Sequence, residues 1–192
     1  MLSENIFNGL SFIMCNDKET TMKSLKNRHL SYIFAIAVVI FCTALDQFTK
    51  YLAVKGLKGK PPYVVIEDVF QLEYLENRGA AFGLFQNQRF FFFLSVAVIC
   101  CIVIWFFRKV PMDKSYLPLR LCASLIVAGA LGNFIDRVRL NYVVDFFYFK
   151  LIDFPIFNVA DIYVTVSTGL FVILLCFYYK EEDIDRILHS RK

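Results

Sequence analysis

Four long apolar runs dominate the pattern of the chain. Leu30–Leu45 continues past Asp46 to about Val54 and forms the first. Phe90–Phe107 is the second, Leu121–Ile135 (extended by Leu117–Leu119) the third, and Phe157–Tyr179 the fourth. In the last run no residue from Ile162 to Tyr179 is charged, which approaches the ~20 residues a helix needs to cross a bilayer. Lipid offers no partner to open backbone groups, so each run is expected to span as a helix.

The polar stretches between the runs predict the rest. Residues 55–89 begin with Pro61-Pro62, then turn rich in Val, Ile, Phe and Tyr, with a break at Glu67-Asp68. That pattern predicts a β-hairpin or small sheet on the membrane surface. The fold class is therefore a mainly α membrane protein: four transmembrane helices with a small extracytoplasmic β-cradle. Residues 1–29 form an N-terminal segment, 30–180 the membrane domain, and 181–192 a charged tail. Met22 opens "MKSLKNRHL", which reads like a start, and the first 21 residues then read as an extension. "SFIMC" is a poor cleavage site, so no secretory signal is expected.

Composition agrees with a polytopic membrane protein. Of 192 residues 58% are hydrophobic and 20% charged, where a soluble domain carries about a quarter charged. Charge distribution sets the topology. Lys23, Lys26 and Arg28 precede the first span, and Arg108, Lys109, Lys114 and Arg120 lie between the second and third. With four spans these flanks share a side with the C-terminal tail, and the positive-inside rule makes that side cytoplasmic. No basic stripe is interleaved with stacking aromatics, which removes nucleic-acid binding.

Candidate chemistry is narrow. The only histidines, His29 and His189, lie in polar flanks, which nearly excludes His-based triads and histidine-ligated zinc. The cysteines lack C-x-x-C spacing, and five of them sit in apolar runs as small packers. Any catalysis falls to carboxylates, with no metal or organic cofactor required.

Connectivity gathers those carboxylates at one face of the membrane. Asp46 and Lys50 lie one turn apart at the outer end of span one. Asn133, Asp136 and Arg137 lie at the outer end of span three, with Asp145 in the loop beyond. Asn158 and Asp161 open span four on one helix face. The stretch from Asp145 to Asp161 is too short to cross and return. A close carboxylate pair splits its pKa values and can activate water while protonating a leaving amine. The plainer readings are an N-terminal helix cap for Asp161, an internal ion pair for Asp136 with Arg137, a similar pair for Asp46 with Lys50, and a solvated Asp153. Spacing leaves Asp161 paired with either Asp136 or Asp145.

"DQFTK" at 46–50, "ENRGAAFG" at 76–83, "GALGNFIDRVR" with "VVDFF" at 129–147 and "PIFNVAD" at 155–161 resemble the four blocks of the bacterial lipoprotein signal peptidases (signal peptidase II). The blocks occur in the family's order across roughly residues 30–180. The resemblance implies an intramembrane aspartyl endopeptidase of the bacterial inner membrane that cuts prolipoproteins just before the diacylglyceryl-modified cysteine. It implies Asp145 and Asp161 as the catalytic dyad. Asp46, Lys50, Asn77, Arg78, Gly79, Asn133, Asp136, Arg137, Asn158 and Ala160 fall in the matching blocks as the supporting or substrate-binding shell. It also implies a β-cradle over 55–89, with "NRGAAFG" as a loop over the site. Lipid-modified prolipoproteins and membrane phospholipids are the expected partners, with no nucleic acid and no obligate protein. A proton-coupled carrier using the clustered aspartates is the alternative; carriers place such groups near the midplane, often within internal repeats, and no repeat is evident here. A non-catalytic scaffold would leave the aspartates without a purpose.

Overall fold

A computed structural model describes residues 2–79 and 89–189, with side chains from Arg28 onward except those of residues 89 and 91. Helix α1 spans Leu2–Leu57 without a break, so the segment before the first span belongs to the same helix. Strands β1 (Tyr63–Ile66) and β2 (Phe70–Asn77) follow, then α2 (Arg89–Lys109), α3 (Leu117–Arg139) and β3 (Val143–Tyr148). Helix α4 (Val159–Ile173) ends in a π-turn over Leu174–Tyr178, and α5 covers Glu181–Leu188.

Among the described residues, four helical stretches are long and apolar enough to cross a membrane: Arg28–Leu57, Phe92–Lys109, Lys114–Arg139 and Val159–Tyr178. Half of the third stretch's most apolar window is buried, against 11% for each of the others. Helix α3 is thus the central post, and the remaining three turn apolar faces outward, as exposed Phe41, Ile104 and Phe177 illustrate. Small residues let neighbours approach that post. A Cβ added at Gly132 would stand 2.5 Å from Asp46 Oδ2, and one at Gly129 would meet the Ala160 carbonyl and the Val164 side chain.

The hairpin expected in 55–89 forms, with its turn at Glu67–Val69 and Asp68 in the left-handed region (φ 55°). The sheet has a third member. β3 lies antiparallel to β2, pairing Leu75 with Asp145 and Asn77 with Val143. Asp145, expected in a loop, therefore sits on a buried strand. The reason is the apolar run Val143–Phe149, which follows α3 after only a tight turn. Asn141 takes a left-handed conformation there (φ 69°) and the Leu140 N–H bonds the Asp136 carbonyl at 2.7 Å. Under the sheet, Ala53, Val144 and Phe146 form one apolar cluster.

A second cluster closes the opposite end. Phe106, Val110, Tyr116, Leu119 and Tyr179 pack there with Ile187 of α5. The tail is thus partly a docked helix, held also by Arg186 against Asp113 at 2.9 Å.

Candidate active site

The carboxyl end of α3, the middle of β3 and the amino end of α4 converge at the sheet end of the bundle. Asn158 caps α4: its Oδ1 accepts from the Asp161 N–H at 3.0 Å, while its own N–H donates to Asp161 Oδ2 at 3.1 Å. The plain capping role foreseen for Asp161 is therefore present. It does not exhaust the residue, because Asp161 Oδ1 also accepts from Asn133 Nδ2 at 2.8 Å.

Asp145 is 1% exposed and is held by two amides. Asn158 Nδ2 donates to its Oδ1 at 2.6 Å, and Asn77 Nδ2 to its Oδ2 at 2.8 Å. Asn77 reaches it diagonally across the β2–β3 ladder. One asparagine, Asn158, thus touches both aspartates. Burial pushes the Asp145 carboxyl up to about 7, the Asp161 charge pushes the same way, and the two amide bonds partly offset them.

Beneath this pair lies a buried ionic knot. Lys50 Nζ is 2.9 Å from both Asp46 Oδ2 and Asp136 Oδ2, and 2.8 Å from Asn133 Oδ1. Asp46 accepts further from the Ala160 N–H at 2.9 Å, and Asp136 from the Val144 N–H at 3.2 Å. The expected Asp46–Lys50 pair is confirmed, but the expected Asp136–Arg137 pair is not formed. Adjacent helix residues point about 100° apart, so Asp136 faces α1 while Arg137 is turned away from it. Arg137 donates to the Gly79 carbonyl at 3.1 Å and lies 4.0 Å from the centre of the Phe92 ring. Of the two N-x-x-D motifs, the second is closed on itself by the Asn158–Asp161 cap, whereas in the first Asn133 donates to Asp161 rather than to its neighbour Asp136.

A cavity of about 830 Å³ opens above, lined by Asp145, Asp161, Asn77, Asn133, Arg137 and a largely apolar wall from α2, α3 and α4. Asp46 and Asp136 do not line it; they are spent on Lys50. Arg78 reaches the rim, mostly exposed, with Glu76 at 3.7 Å. Residues 80–83 of the expected covering loop lie outside the described residues. Gln47 was not singled out from the sequence, yet its amide donates to Asp136 Oδ1 at 2.9 Å and the Gly132 carbonyl at 3.1 Å. In the sequence the signal for it is its place next to Asp46 in "DQFTK".

The family model of signal peptidase (SPase) II matches residues 36–177. The chain belongs to the signal peptidase II family. It is 46% identical over 144 residues to a lipoprotein signal peptidase of Caldanaerobacter subterraneus, covering 74% of this chain and 96% of the relative. A lipoprotein signal peptidase of Clostridium tetani is 39% identical over 153 residues, covering 78% and 95%. Among solved structures, a bacterial membrane enzyme determined by the in meso method superposes with TM-score 0.67 at 34% identity, covering 77% of this chain and 92% of that one. A second such structure gives 0.65 at 34% identity, covering 76% and 94%. The carrier alternative finds no support among these relatives. Signal peptidase II membership and the four apolar helices make this a multi-pass membrane peptidase.

Proposed function

We propose that this chain removes signal peptides from diacylglyceryl-modified prolipoproteins, cutting just before the lipidated cysteine, with Asp145 and Asp161 as its catalytic dyad. One observation carries the assignment of the dyad. Of the four clustered aspartates, these two face the cavity, while Asp46 and Asp136 share an ion pair with Lys50.

Asp145 enters as the acid and donates its proton toward the scissile carbonyl oxygen. Asp161, held by Asn133 and the Asn158 N–H, removes a proton from water as that water attacks the carbonyl carbon. The resulting gem-diol collapses as Asp161 passes its proton to the departing nitrogen and Asp145 recovers one from the diol; the C–N bond breaks and no covalent enzyme intermediate forms. Asn158 and Asn77 orient Asp145. The cavity's polar floor suits an extended peptide, and its apolar wall suits the diacylglyceryl chains. The basic flanks support a cytoplasmic placement for both termini, with the site near the outer face.

The test is cleavage of a prolipoprotein in detergent, with and without the diacylglyceryl group on its cysteine. Cutting confined to the lipidated form supports the proposal. Equal cutting of both, or of neither, contradicts it.

A further inference from the structure

A second cleft lies at the opposite end of the bundle from the aspartates. It occupies about 510 Å³ between α1 and α2, with walls of Tyr32, Ala35, Val39, Val103 and Ile104 and a floor from α3. That volume falls within the ~300–1,000 Å³ of ligand clefts. The lining is almost wholly hydrocarbon; the one floor hydroxyl, Ser124, is spent on the Arg120 carbonyl at 2.8 Å. It lies within the membrane-spanning stretches of all three helices. Water gains nothing in such a slot, whereas a lipid chain fills it without desolvation cost.

Charge at its mouth selects among lipids. Arg108 of α2 lines the cleft and is exposed. Arg28 of α1 reaches across, donating to the Arg108 carbonyl at 2.8 Å and to the Tyr32 hydroxyl at 3.3 Å. The Tyr32 hydroxyl in turn donates to the Phe107 carbonyl at 3.2 Å, so the two helices are pinned together at this end. Neither arginine has an acidic partner among the described residues. The Arg28 guanidinium, bonded to the Arg108 backbone, and the exposed Arg108 thus put two positive charges at one mouth of an apolar slot, which matches a phosphate joined to acyl chains.

We infer that this cleft is a binding site for an anionic glycerophospholipid, with an acyl chain between α1 and α2 and its phosphate at Arg28 and Arg108. The site is separate from the aspartates and stands whatever the proposed cleavage assay returns.

Native mass spectrometry of the delipidated full chain, titrated with phosphatidylglycerol or phosphatidylcholine of equal chain length, reads the site directly. One phosphatidylglycerol per chain is expected to be retained in preference to phosphatidylcholine. Arg108→Gln, a change at an exposed position, should lower that preference about fivefold. Val39→Trp, filling the slot with both arginines intact, should expel the lipid. Equal retention of the two lipids by the wild type would mean an unselective lipid shell and overturn the inference. Unchanged phosphatidylglycerol binding by either variant would overturn it as well.

Discussion

The Lys50 ammonium and the Asn133 side-chain oxygen lie 2.8 Å apart, and that contact decides which way the Asn133 amide faces. With its oxygen claimed by Lys50 and by Asn158 Nδ2 at 3.1 Å, the amide can only present its N–H to Asp161. Lys50 thus acts on Asp161 through Asn133, while it bridges Asp46 and Asp136.

Lys50→Met is therefore expected to leave two carboxylates buried without a cation. Breaking a buried pair in this way costs about 3–5 kcal/mol. Thermal unfolding in detergent should fall well below wild type; an unfolding midpoint equal to wild type would contradict the pairing.

Asp145 supplies a pH dependence of definite sign. Its carboxyl is raised from 3.8 to about 7 in the folded chain, so the folded state holds this proton more tightly than the unfolded one. Its stabilising contribution is complete below about pH 4 and is lost as pH rises through about 7. If Asp145 is the acid, kcat/KM should fall above pH 7, about tenfold per unit. Asn77→Ala removes a bond that favours the charged form, so it should move this alkaline limb upward. A limb that stays put or moves down in the variant's pH–rate profile would count against the assignment.

Packing at α3 gives a matched pair of substitutions. Gly129→Ala drives a methyl into the Ala160 backbone and Val164, with an expected loss of about 1–3 kcal/mol. Gly169→Ala on α4 meets nothing within 4 Å and should be neutral or up to about 1 kcal/mol stabilising. Unfolding midpoints of the two, measured side by side, separate close packing from helix propensity.

The four spans were legible because bilayer length and apolarity act on single segments, and the hairpin because Glu67-Asp68 interrupts an apolar run. What was not legible depended on facing. Val143–Tyr148 is too apolar and too near α3 to announce itself as a strand, yet pairing with β2 is what buries Asp145 and brings Asn77 to it. Asp136 and Arg137 invite an ion pair when read in one dimension; the helix turns them apart, and Lys50 of α1 takes the aspartate. Asn133 and Asn158 were recognised as supports, but their partners followed from the crossing of α3 and α4, which no local spacing encodes.

Asn158→Ala removes the cap of α4 and one donor to Asp145 together. Cap loss alone costs about 1 kcal/mol. Activity should suffer far more than stability, since both aspartates lose their common contact. A variant that loses about 1 kcal/mol of stability yet cleaves at the wild-type rate would show that the shared asparagine does not organise the pair.

Cleavage of a diacylglyceryl-modified prolipoprotein by purified Asp145→Asn and Asp161→Asn, beside wild type and Asp136→Asn, tests the dyad most directly. The account predicts undetectable turnover in the first two with unfolding temperatures near wild type. Asp136→Asn should instead lose stability and keep measurable turnover in its folded fraction. Turnover persisting in Asp145→Asn or Asp161→Asn would contradict the dyad.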